Sequence, residues 1–180
     1  MQSDNTDIFL SYHKRDNEFV QKFKKSLEDS GVSVWLDSSH IRVADKLKDK
    51  IYRAIDHASY VIPVISTKSL NSDWLEREVN YAKELNKTMI PLRLDGIEHG
   101  VLQRLNMFGD VFEDIVSVEV EDRNNFSDTV YKIIVKILED TKFKIEELML
   151  DIQPIRKKQN DRNKEIDEYR KKLDDIINEK

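Results

Sequence analysis

The chain has 180 residues, and its 30 basic against 35 acidic side chains leave a net charge of −5. That length suits one domain of about 130–150 residues with a full core plus an appendage, and the sign of the charge argues against a surface built to neutralise nucleic-acid phosphates. No apolar run reaches the roughly 18 residues of a membrane span, and zero cysteines exclude disulfides, thiolate metal sites and a cysteine nucleophile. The polar start MQSDNTD carries no targeting pattern, so a cytoplasmic protein with neither nucleic-acid nor membrane partners is expected.

Up to residue 142, short runs of branched residues alternate with helical patterns, the signature of a parallel sheet covered by helices. The first strand is DIFLSY (7–12), and the helix after it repeats Phe19, Phe23 and Leu27 and ends at Gly31, a C′ glycine. The second strand, VSVWLD (32–37), leads through a polar loop to a helix marked by Leu47, Ile51 and Ile55. The third, YVIPVIS (60–66), runs through the turn STKS into the helix of NSDWLEREVNYA (71–82). TMIPLRL (88–94) and VFEDIVSV (111–118) make five strands, separated by a loop with room for a short helix, and Phe126, Val130, Ile133 and Ile137 mark a last helix. Pro63 and Pro91 cannot donate to a ladder, so each should fall at a strand end, an edge or an irregularity.

The tail, 143–180, follows a different rule. It holds 10 basic and 10 acidic residues, which leaves the net charge of the protein to residues 1–142. Positions 145, 148, 152, 155, 159, 162, 166, 169, 173 and 176 step by three and four, and all but Gln159 and Arg162 are apolar. This is a heptad seam, interrupted by Pro154, which predicts a kink or a junction of two helices near 153. It fits either a helix packing back on its own domain or a self-associating coiled coil.

In an open parallel sheet, ligands bind outside the carboxyl ends of the strands. That singles out Ser11 to Lys14, the stretch Asp37 to Asp45, Ser66 to Trp74, and Asp95 onward. In the third helix, Asp73 is expected as N-cap, with Glu76 three residues on reaching back to it. Glu78 has no such local role, and its helical neighbours Trp74, Leu75, Tyr81 and Ala82 include no cation. It either snorkels to water or stands in a cleft wall, where partial desolvation raises a carboxyl pKa and readies it for chemistry. His13, His40, His57 and His99 show no metal-ligand spacing, and no metal site is expected. The absence of G-x-S-x-G and G-x-G-x-x-G disfavours a serine hydrolase and a Rossmann dinucleotide fold.

Taken in order and at their spacing, DIFLSYHKRD, GVSVWLDSSHIRVADKLKDKIYRAI, ASYVIPVISTKSLNSDWLEREV and MIPLRLD resemble a TIR domain over residues 5–142, with 143–180 as a helical extension. The resemblance implies a flavodoxin-like α/β fold: a five-stranded parallel sheet of order 2-1-3-4-5 with helices on both faces. It also implies one of two occupations, cleavage of NAD at the nicotinamide–ribose bond or non-catalytic scaffolding through TIR–TIR contacts. In the enzymatic reading the last residue of W-x-x-x-E, here Glu78, is catalytic. Ser11, Tyr12, His13, Lys14, Asp37 and Trp74 then border the nucleotide, which is the substrate, and no cofactor is required. Self-association through TIR–TIR contacts and the 143–180 helix, a downstream effector sensing the product, and a role in antiphage defence follow by analogy. One departure is the loop Ile41-Arg42-Val43-Ala44-Asp45, which lacks the proline or glycine of many relatives; Asp45 is expected to cap the next helix.

Overall fold

The computed structural model describes residues 6–36, 45–104 and 117–178. Asp37, the loop 38–44 with His40, and most of the strand expected over 111–118 lie outside the described residues. The elements are β1 (Thr6–Ser11), α1 (Asn17–Asp29), β2 (Val34–Leu36), α2 (Asp45–His57), β3 (Ala58–Ile65), α3 (Asp73–Glu84), β4 (Thr88–Met89), β5 (Leu92–Arg93), α4 (His99–Arg104), β6 (Val118–Glu119) and α5 (Ser127–Asn178). A short 3₁₀ turn, Lys14–Asp16, precedes α1.

The strands form one parallel sheet in the order β2-β1-β3-β5-β6, with β4 also paired to β3. β4 and β5 are the two halves of the expected fourth strand. Val61 faces Met89 and Val64 faces Leu92, so the register carries through the gap unshifted and sets Pro63 opposite Pro91. Two residues without an N–H meet there, and the ladder opens. Pro63 nevertheless sits inside a central strand, held on its other side opposite Ser11 of β1. Counting β4 and β5 as one strand restores the order 2-1-3-4-5.

Alternation along the strands divides the core between two faces. Phe9, Val61 and Ile65 pack with Ile51 and Ile55 of α2 and with Leu75, Val79 and Ala82 of α3. Ile8, Leu10, Ile62 and Val64 are as deeply buried and alternate to the other face. Away from the α2/α3 cluster, Phe19 and Phe23 of α1 each meet Phe126 edge-on, at centroid distances of 5.5 and 5.7 Å.

The end of α1 is a Schellman motif. Gly31 N–H donates to Glu28 O at 2.9 Å and Val32 N–H to Leu27 O at 3.2 Å, with Gly31 at a φ of 89°. Nothing lies within 4 Å of a Cβ built there, so the glycine is required by backbone conformation and not by crowding. Gly31→Ala should therefore cost about 1–2 kcal/mol, seen as a lower urea midpoint with an unchanged slope.

One helix start differs from expectation. The N-cap of α3 is Ser72, not Asp73: its backbone is extended and its side chain accepts from Leu75 N–H at 3.4 Å. Successive turns, Ser69 N–H to Ser66 O and Ser72 N–H to Ser69 O, bring the chain into the helix one residue earlier. Glu76 then falls beyond the capping position, and its own N–H donates to Ser72 O at 3.1 Å. At α2, Asp45 is the first described residue of the helix, and the residues before it lie outside the described residues.

The chain divides into two compact units, Met1–Ile134 and Val135–Lys180. The described residues of the second unit belong to α5, which is continuous across Pro154; two separate helices meeting near 153 are not found. No helix among the described residues is long and apolar enough to cross a membrane.

Candidate active site

The buried stripe of α3 consists of Leu75, Glu78, Val79 and Ala82, so a carboxylate occupies a position that the helical period assigns to the core. Glu78 is 1% exposed. The Oγ of Ser11, itself fully buried at the carboxyl end of β1, donates to Glu78 Oε2. β1 and β3 are neighbours, and α3 follows β3, so the fold brings a hydroxyl and a carboxylate 67 residues apart into contact.

A pocket opens on Glu78. It is lined by Ile51 and Tyr52 of α2 and by Trp74, Arg77 and Glu78 of α3, and its volume is about 10 Å³, room for about one water molecule. Its walls are two aromatic rings and an aliphatic chain, with a carboxylate at one side and a guanidinium at another. Ligand clefts usually measure about 300–1,000 Å³, so in this conformation the space is that of a single water and a ligand would have to part the Tyr52 and Trp74 side chains.

Of the side chains singled out from sequence, Trp74 and Glu78 line this pocket, and Ser11 reaches Glu78 from β1. Tyr12 is turned toward α1, where its hydroxyl donates to Asn17 Oδ1 at 3.0 Å. His13 caps the 3₁₀ turn by accepting from Arg15 N–H, and Lys14 is exposed in that turn. His99 is 2.9 Å from Ser117 Oγ through Nδ1, and among the described residues no cluster of three side chains could hold a metal.

Sequence reasoning passed over a second polar centre on the same rim of the sheet. Asp16 is 1% exposed, accepts from Ser66 Oγ at 2.5 Å, and pairs with Arg123 Nη1 at 3.0 Å and Lys68 Nζ at 3.3 Å. Arg123 also grips Asp95 through Nε and Nη2, at 3.0 and 2.6 Å. Asp95 in turn accepts from the Thr67 backbone and hydroxyl, at 3.1 and 2.9 Å. The loops after β1, β3, β5 and β6 are thus tied together by one chain of charge-assisted hydrogen bonds.

Burial pushes the Asp95 carboxyl up, but the hydrogen bonds from Arg123 and Thr67 outweigh it and hold the pKa below the ordinary aspartate value. The stability this gives is present above the unfolded-state value of about 3.9 and is lost as pH falls through the depressed folded one. Asp95→Asn should accordingly be less stable than the parent at pH 7. The gap should narrow as pH falls below about 4, which urea titrations across that range would measure.

A family model described as TIR domain matches residues 8–134. Over 91 residues the chain is 33% identical to a protein of Acinetobacter baumannii named 2' cyclic ADP-D-ribose synthase AbTIR, covering 48% of this chain and 34% of that one. Over 75 residues it is 32% identical to the NAD(+) hydrolase TcpC of Escherichia coli, covering 41% and 24%. The match takes in about a third or less of the length of these relatives. Among solved structures, the TIR domain of the Toll-related receptor TRR-2 from Hydra magnipapillata superposes with a TM-score of 0.56 at 13% identity, over 75% of this chain and 99% of that one. The TIR domains of the activated Roq1 resistosome give 0.53 at 17%, over 76% and 99%. At those identities the likeness is one of fold.

Proposed function

The chain belongs to the TIR domain family, and from that premise and the buried Ser11–Glu78 pair we propose that it cleaves NAD at the nicotinamide–ribose bond. The observation that carries the proposal is a carboxylate 1% exposed on the inner face of α3, opening onto a pocket lined by Trp74 and Tyr52. Relatives named as NAD hydrolases and cyclic ADP-ribose synthases support the substrate class.

In this reading the nicotinamide end enters the pocket beside the Trp74 and Tyr52 rings, and the adenosine diphosphate end runs out along the strand ends past His13 and Lys14. Breaking the bond moves its electron pair onto the pyridine nitrogen, so nicotinamide leaves neutral and needs no general acid. The positive charge develops on the ribose, where Glu78 stabilises it. Ser11 holds the carboxylate in place from behind. Water attacking the ribose carbon gives ADP-ribose plus a proton, and an internal hydroxyl gives a cyclic isomer. Self-association through TIR–TIR contacts then raises activity, and release of a nucleotide signal or loss of NAD serves antiphage defence.

Mass spectrometry of the purified chain incubated with NAD tests activity and names the product together. Nicotinamide with an equimolar ADP-ribose species is expected. No release, either in dilute solution or with the protein crowded on a surface, would leave a non-catalytic TIR module as the remaining reading.

A further inference from the structure

The seam of α5 is open along its described length. Ile145, Leu148, Ile152, Ile155, Ile166 and Tyr169 are between 44% and 66% exposed. With Ile145 at heptad position a, these residues alternate between a and d, and Pro154 falls at c, off the seam. An apolar stripe of this length in water calls for a partner surface with the same spacing.

The two polar members of the seam indicate which surface. Gln159 and Arg162 are the fifth and sixth of its ten positions, at its midpoint. A parallel pair of these helices would set Arg162 against the Arg162 of a second copy, two like charges in the apolar layer. Reversing one helix about the midpoint sets Gln159 against Arg162, an acceptor against a donor, and every other seam position against an apolar one. Ile155 then meets Ile166 and Ile152 meets Tyr169, with Leu148 and Ile145 opposite positions 173 and 176, which are Leu and Ile by sequence.

The flanking charges agree with the reversed arrangement. In an antiparallel pair the g positions face one another, and Lys158 and Glu165, both g, fall opposite each other on either side of the midpoint. We infer that α5 pairs with the α5 of a second copy of this chain as an antiparallel coiled coil in which Gln159 of each copy lies against Arg162 of the other. The inference concerns assembly alone and does not depend on catalysis.

The chain contains no cysteine, so a single introduced one reports on geometry without competition. Sedimentation equilibrium of the full chain should give twice the 21.3 kDa of one chain, and Ile155→Asp with Ile166→Asp should return it to one. A spin label at Glu147→Cys should read a separation of about 40 Å between copies, from 27 residue rises across the midpoint at 1.5 Å each. A parallel pair would read about half that or less. Lys158→Glu should weaken the dimer about tenfold, and adding Glu165→Lys should restore it. A single-chain mass at every concentration, a mass above the dimer, or a short label distance would each overturn the inference. Nicotinamide release measured on the same samples keeps the outcome separate from that of the NAD-cleavage reading.

Discussion

Glu78→Gln should lower the rate of nicotinamide release by about 10²–10⁴-fold while leaving the fold intact. Glutamine has the same shape and keeps an oxygen that can accept from Ser11 Oγ, the partner of Glu78 Oε2, so the local hydrogen bond survives and only the negative charge goes. A group that acts by stabilising charge on the ribose should therefore lose kcat with little change in KM. The melting temperature should stay within a few degrees of the parent, because the exchange keeps the shape of the side chain and its hydrogen bond from Ser11. A carboxylate serving only to anchor β1 against α3 predicts the reverse: altered stability and unaltered turnover. Ser11→Ala sharpens the distinction, since it keeps the charge and removes the donor, and should cost far less turnover than Glu78→Gln.

How much of this site could be read from sequence depends on which residue is asked about. Glu78 was singled out twice over, through W-x-x-x-E and through the absence of a cation three or four residues away along the helix. A third signal was there to be used. Leu75, Glu78, Val79 and Ala82 follow i, i+3, i+4, i+7, so the helical period alone assigns Glu78 to the buried face. The strands were legible because branched runs and turn residues are local, whereas their order was implied only by the resemblance to a TIR domain. Its prolines identified the irregularity, but the pairing of Pro63 opposite Pro91 came only with the register. The cap of α3 was misplaced by one residue because Ser72 and Asp73 are both good caps, and the turns through Ser66 and Ser69 decided between them. Asp16 and Arg123 had no signal at all. They are 107 residues apart, lie in polar stretches without period, and become partners only when the loops after β1 and β6 reach the same rim.

Arg123→Met should destabilise the protein by about 3 kcal/mol, which for a chain of this length lowers the melting temperature by about 6–12 °C. The side chain of Asp16 is 0% exposed, and Arg123 is one of two cations holding it. Removing the guanidinium leaves a buried carboxylate with Ser66 and Lys68 as its remaining partners, and Lys68 is the longer contact at 3.3 Å. The same change frees Asp95, whose depressed pKa depends in part on Arg123, and strips the cation lying 5.8 Å from the Phe19 ring. Because Arg123 is 31% exposed, the loss should be smaller than for a fully buried pair. The decisive comparison is with Asp16→Asn and the double variant. If the cost is that of an orphaned charge, Asp16→Asn together with Arg123→Met should be less destabilised than the two single losses combined. Strict additivity would mean that Arg123 acts through packing on Phe19, and that the network along the rim does not stabilise the loops as a unit.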